Sequence, residues 1–326
     1  MNDIFVFLQS ESIKKKLTKK QVLKMSITKL DQMVELVKTK PKKRLVAANA
    51  NDAHTIEAIY HAIEENIVDA TLVGDEIIIK EVCHQLHVDV TKLKIEHETD
   101  EMNAASKAVQ LINKGKGDIL MKGLLSTDKY MRAILNKEYG LMSGPKAVLS
   151  HATVIETPTY HKLIVCGDVA VIPAPDLNQK IAITNYLIKI AQALEIQKPK
   201  LALLAATEQM LAGMPACVDA AIIAKMADRG QIKGAFIDGP FGLDVAIDKE
   251  SAEIKKLASD VAGDADCLVF PNIESGNIFY KACTKLAGGE LAAMVCGAKV
   301  PCILTSRGDS AKSKNYSIAL AALMAK

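Results

Sequence analysis

Five short apolar runs in this sequence each stop at residues that could do chemistry. DILM leads into KGLLSTDKYMR, IVC into GDVAVIPAPD, AFI into DGPFGLD, LVF into PNIESGNIFYK and CIL into TSRGDS. In the first, Ser126, Thr127 and Arg132 suit an anion, because hydroxyls and free N–H groups at a helix start favour negative charge and an arginine one turn on adds a forked contact. A plain Ser/Thr cap with a surface arginine explains the same residues. Glu274, Ser275 and Asn277 crowd another helix start, where capping again competes with ligand contact. Asp238, Asp244 and Asp248 could hold a divalent cation, although turns and helix starts are commoner uses of aspartate. In VPCILTSRGDS an apolar strand runs into Ser306, Arg307, Gly308 and Asp309, which would be costly to bury unpaired. That strand end must open onto something polar.

Other chemistries lose ground. The sequence has no G-x-x-x-x-G-K-[ST] loop, no well-placed G-x-G-x-x-G and no G-x-S-x-G elbow, which argues against nucleoside triphosphate hydrolysis, an ordinary dinucleotide fold and a serine hydrolase. The seven cysteines include no C-x-x-C pair, against a disulfide framework and a zinc site, and a reducing cytosol fits them best. Cys166, Cys267, Cys296 and Cys302 lie in apolar runs and read as core residues before nucleophiles. His84 and His87 fall on a helical run and read as exposed. The RGD tripeptide at Arg307 recurs by chance in chains of this kind. A net charge of +3, from 41 basic and 38 acidic residues, gives no field that argues for nucleic acid or membrane, and tryptophan is absent. The basic clusters KKKLTKK and KTKPKKR read as a solvated helix face and a linker. No apolar run is long enough to span a bilayer, and the first residues lack the basic start of an export signal.

The elements that would position these residues alternate. RLVAAN, ATLVG, DILMKG, KLIVCGDV, PKLALLAAT, KGAFIDGP, ADCLVFPN and LAAMVCGA read as strands. Helix-period runs such as HTIEAIYHAIEENI, EMNAASKAVQLINKG and VDAAIIAKMADRGQ lie between them, the pattern of parallel sheets covered by helices. Ligands of such sheets bind beyond the carboxyl ends of the strands, where the five groups stand. With 326 residues, two domains are the expectation. The loose punctuation of YGLMSGPKAV marks a boundary: residues 1–143 with 301–326 form a first α/β domain, and residues 144–300 a second.

In this order, ILMKGLLST, LSHATVIETPTYHKL, APDLNQK, DAAIIAKMADRGQIKGAFIDGPFGLDVAI, VAGDADCLVFPNIESGN and VPCILTSRGDS resemble the phosphate acyltransferases, in particular the phosphate butyryltransferase branch. The resemblance runs from about Arg44 to the end. It implies two α/β domains flanking a cleft, in the architecture of isocitrate and isopropylmalate dehydrogenases. It also implies the reaction acyl-CoA + phosphate ⇌ acyl phosphate + CoA, on butyryl-CoA or another short acyl-CoA, with no bound cofactor and no metal. Ser306 and Arg307 match the family's catalytic Ser-Arg pair. Ser126, Thr127 and Arg132 match its phosphate segment, and Asn277 and Lys281 its G-N-x-x-Y-K helix start.

The chain also departs from the acetyl branch. A catalytic aspartate of that branch falls on Ser313, which leaves Asp309 as the nearest carboxylate. An arginine falls on Lys285, which keeps the charge without the fork. Ile172 stands where an asparagine is expected. Lys281 and Lys285 are thus expected at CoA, Asn277 at substrate, and Asp309 as base for the CoA thiol, whose pKa near ~8.5 leaves it mostly protonated at neutral pH. The expected setting is cytoplasmic, as a homodimer or higher homo-oligomer. Phosphate acetyltransferase is the nearest alternative. A metal- and nicotinamide-dependent decarboxylating dehydrogenase shares the architecture, and a non-catalytic CoA or acyl phosphate sensor is the third reading.

Overall fold

The computed structural model describes residues 26–305 and 310–326. Its elements in chain order are α1 (Leu30–Lys38), β1 (Lys43–Ala48), α2 (Ala53–Glu64), β2 (Val68–Gly74), α3 (Glu76–Gln85), β3 (Lys94–His97), α4 (Glu101–Asn113), β4 (Ile119–Lys122) and α5 (Thr127–Leu135). There follow β5 (Ser150–Glu156), β6 (Ile164–Gly167), α6 (Leu177–Ala193), β7 (Lys200–Leu204), α7 (Pro215–Asp228), β8 (Phe236–Phe241), α8 (Leu243–Ile247) and α9 (Lys249–Ile254). The last are β9 (Cys267–Val269), α10 (Ile273–Lys285), β10 (Glu290–Cys296), β11 (Cys302–Ile303) and α11 (Ala311–Met324).

These strands form one eleven-stranded sheet in the order β3-β2-β1-β4-β11-β10-β5-β6-β9-β7-β8. The runs that build the sheet are apolar on both faces: Leu45–Ala48 of β1, Ile119–Met121 of β4 and Cys267–Val269 are buried. Such continuous burial requires helices above and below. The helices supply it with amphipathic stripes, as in α2, where Thr55, Ile56, Ala58, Ile59 and Ala62 turn inward. Short polar side chains start them: Asp52 accepts from Thr55 N at 2.9 Å, and Asp176 and Gln179 form a reciprocal capping box on α6. Helix α11 differs in that Tyr316 and Ile318–Ala322 are all buried, because it packs against β10 while α1 and α2 lie on it.

The α/β class is as the sequence implies, but the sheet is not parallel throughout. β3 to β11 run parallel, as do β6, β9, β7 and β8, whereas β11–β10, β10–β5 and β5–β6 are antiparallel. The reason is connection length. Only residues 157–163 join β5 to β6 and 297–301 join β10 to β11, and a parallel crossover needs a dozen or more.

Candidate active site

Four of the five groups that follow apolar runs meet at one cavity of about 180 Å³. The exit of β4 supplies Thr127, the exit of β6 Ala170, helix α10 after β9 Tyr280, and the exit of β11 Leu304 and Thr305. Strands β5 and β10 floor it with His151, Thr153, Leu291 and Ala293. The fifth group goes elsewhere. After β8, Asp238 accepts from Gly239 N at 2.8 Å, Asp244 pairs with Lys255 at 3.0 Å, and Asp248 caps α9 through Ser251 N at 2.7 Å. Among the described residues no group of three or more His, Cys, Asp or Glu could hold a metal ion.

Asp168 organises the cavity from behind. Only 1% exposed, its carboxylate accepts from Ser150 Oγ at 3.0 Å and His151 N at 3.0 Å on β5, and from Ala170 N at 2.7 Å and Val171 N at 2.8 Å in its own loop. One buried charge therefore ties the start of β5 to the exit of β6, with backbone donors matching its lone pairs. Helix α10 closes on the same loop: Asn277 Nδ2 donates to Val169 O at 3.0 Å. Gly276 permits the approach, since a Cβ there would stand 2.5 Å from Asp168 O. His151 Nε2 lies 3.0 Å from Leu304 O, which can only accept, so Nε2 carries a proton, and Nδ1 lies 3.3 Å from Thr153 Oγ1.

The chamber thus offers hydroxyls, the His151 imidazole and apolar walls, and no carboxylate or thiol among its described lining. Its hydroxyls can donate hydrogen bonds to a developing oxyanion. The cysteines of the core are not reserves: burial pushes the Cys166, Cys267 and Cys302 thiols up and Cys296 to about 12.

The residues singled out from sequence are placed as follows. Ser126 is the N-cap of α5, accepting from Lys129 N at 3.2 Å, which leaves its own O–H to donate outward. Thr127 lines the cavity. Arg132 is 71% exposed and pairs with Asp128 at 2.8 Å. Asn277 holds the Val169 loop, Lys281 is exposed with its ammonium 6.0 Å from the Tyr280 ring centroid, and Lys285 lies in the last turn of α10. Ser313 donates to Glu290 Oε2 at 2.7 Å, and Ile172 is buried. His84 and His87 are exposed. Ser306, Arg307 and Asp309 lie outside the described residues, between Thr305 at the cavity and Ser310, which caps α11 through Ser313 N at 3.0 Å. Two residues of the site carry no such signal. Asp168 reads in sequence as a turn aspartate, and His151 sits inside the run LSHATVIETPTYHKL as one more polar residue.

Residues 28–105 and 96–322 match the family described as "Phosphate acetyl/butaryl transferase". The chain is 41% identical to a phosphate butyryltransferase of Clostridium acetobutylicum over 92% of its length and 99% of that protein's. It is 39% identical to a phosphate acetyltransferase of Thermotoga maritima over 91% of its length and 99% of that protein's. The crystal structure of a branched-chain phosphotransacylase from Enterococcus faecalis superposes with a TM-score of 0.74 at 28% identity, over 87% of this chain and 100% of that one.

Proposed function

Because the chain belongs to the phosphate acetyl/butaryl transferase family, we propose that its acyl transfer takes place at the Thr305 edge of the cavity, where the exits of β4, β6, β9 and β11 meet. The protein is an enzyme, a phosphate acyltransferase that interconverts short acyl-CoA plus phosphate with acyl phosphate plus CoA. In the direction of acyl phosphate formation, a phosphate oxygen attacks the thioester carbonyl, the C–O bond forms as the C–S bond breaks, and the thiolate leaves and is protonated. No covalent enzyme intermediate is needed once both substrates are held in line. The convergence of four strand exits on a chamber lined with hydroxyls is the observation that carries this reading.

Within it, Arg307 neutralises the phosphoryl group, Ser306 bonds the reacting oxygen, and Asp309 takes the CoA thiol proton in the reverse direction. Ser126 and Thr127 face phosphate from α5, and Arg132 adds charge only by giving up Asp128, which makes it the weakest of the set. Asn277 shapes the substrate side, and Lys281 and Lys285 receive the phosphates of CoA. Butyryl-CoA is the substrate of choice, with acetyl-CoA the alternative, since relatives of both names stand at nearly equal identity. The sheet order supports two domains, residues 1–143 with 301–326 and residues 144–300, because β3, β2, β1, β4 and β11 all come from the first set. Exposed Met210, Leu211, Val218 and Ile222 support a homodimer or higher homo-oligomer. Among the described residues no helix is long and apolar enough to cross a membrane, which agrees with a cytoplasmic setting.

The test is thiol release from a panel of short acyl-CoAs. Release is expected only with phosphate present, and unchanged by a chelator. Equal release in phosphate-free buffer would mean hydrolysis, chelator sensitivity would favour the dehydrogenase, and ligand binding without turnover would favour the sensor.

A further inference from the structure

The ladder of β11 stops before its chain reaches the cavity. Cys302 pairs with Leu120 and Ile303 with Met121 on β4, and Cys302 with Val295 on β10. Leu304 and Thr305 run on, both buried, with no register partner on either neighbouring strand. The Leu304 carbonyl takes a hydrogen bond instead from a side chain two strands away. β10 lies between β11 and β5, and His151 of β5 reaches past it to donate from Nε2 at 3.0 Å.

His151 is itself held on several sides. It is 6% exposed, its backbone N–H donates to the Asp168 carboxylate at 3.0 Å, and Thr153 Oγ1 lies 3.3 Å from Nδ1. β6 passes so close that a Cβ at Gly167 would stand 2.9 Å from His151 O. The ring therefore has little freedom to turn or shift. A buried carbonyl is costly to leave without a donor, so the place of Leu304 follows the place of the ring. Small errors there matter, because a displacement of ~1 Å at a reacting group can cost ~100-fold in rate.

We propose that His151 is a positioning residue for acyl transfer: through the Leu304 carbonyl it fixes where Thr305 enters the cavity. The proposal rests on the reading above that transfer takes place at the Thr305 edge. Asp168 backs it, since the carboxylate that holds the His151 backbone also holds the exit of β6. His151 works on the backbone and not on a substrate proton. What counts is an N–H at the place of Nε2, which a group other than imidazole can supply.

The experiment compares His151→Phe, which keeps a ring without a donor, and His151→Gln, whose amide presents an N–H near the place of Nε2, with the parent. Kinetics are measured well below each melting temperature, and amide hydrogen exchange is followed at Leu304 and Thr305. The Phe variant is expected to lower kcat about tenfold or more, to leave the KM values for phosphate and acyl-CoA within about twofold, and to speed exchange at both amides. The Gln variant is expected to recover most of both losses. An unchanged kcat in the Phe variant, with only a lower melting temperature, overturns the proposal and leaves His151 as a core residue. A Gln variant no faster than the Phe variant overturns it too, and loss of one limb of the kcat pH profile would then assign the imidazole to proton transfer. If the parent shows no transfer, yet exchange rises in the Phe variant and is restored in the Gln variant, the hold on the strand exit stands and the acyltransferase reading falls. Transfer indifferent to both variants leaves that reading standing and removes His151 from it. Should the Phe variant fail to fold, His151→Asn, whose amide reaches only as far as Nδ1, takes its place with the same expected loss.

Discussion

Lys162 and Lys314 are both largely buried, their side chains 13% and 10% exposed, yet they are held in opposite ways. Lys162 lies in the loop between β5 and β6, 2.8 Å from Asp264 and 2.7 Å from Asp266, while Lys200 adds 2.7 Å to Asp264 and its N–H donates to Asp266 at 2.7 Å. Lys314 stands 4.0 Å from one carboxylate that is engaged elsewhere, beside a hole. The first arrangement matches every charge at contact distance and leaves nothing for a ligand. The second leaves Lys314 at the wall of a cavity of about 170 Å³. Distance to the partner, more than burial, separates the two lysines.

The largest effect that would sharpen this contrast is on stability. Asp266→Ala takes one of the two carboxylates from Lys162, which keeps Asp264, and removes the acceptor of Lys200 N; it should lower the unfolding free energy by about 1–3 kcal/mol, with activity per folded molecule unchanged. Denaturant midpoints read it. An equal loss in Lys314→Met would erase the distinction.

The next effect is on acid sensitivity. Burial pushes the Asp264 carboxyl up, but hydrogen bonds from Lys162 and Lys200 outweigh it and hold it down at about 2. A depressed folded-state value stabilises above the ordinary carboxylate range and is lost as pH falls from ~4 toward 2. Melting temperature should therefore drop through that window, and Lys200→Met should make the drop shallower, with Lys162 still holding Asp264. A variant with the parent's acid profile would take Asp264 out of the account.

The smallest effect belongs to Arg132. Its exposed pair with Asp128 is worth about 0.5 kcal/mol or less, and Arg132→Ala should raise the phosphate KM by about threefold at most. A tenfold rise would make it a main phosphate contact.

What could be read from residues alone follows from which signals are local. RLVAAN, DILMKG and LAAMVCGA are continuous apolar runs and form β1, β4 and β10, and the glycine after EMNAASKAVQLINK ends α4 with φ at 70°. β5 escapes such a reading because Ser150, His151 and Thr153 interrupt SHATVIE. They are buried there only because Asp168, the Leu304 carbonyl and each other satisfy them, partners mostly distant in sequence. β3, at the sheet edge, has no apolar run to find. The positions after the strands point to the site because chain direction is encoded locally. His151 does not, since nothing near it in sequence shows that the Leu304 carbonyl lies across β10 from it.

β11 has only Cys302 and Ile303, yet it joins β4 to β10 at the middle of the sheet. Leu120 pairs with Cys302, so during synthesis the open edge of β4 waits for a partner that leaves the ribosome on the order of ten to forty seconds later, at ~5–20 residues per second. Throughout that interval a buried-type strand stands with its hydrogen-bonding groups unmatched, a template for another nascent chain. The placement that brings Thr305 to the cavity thereby leaves that edge of the growing polypeptide open to wrong pairing until its final strand is made.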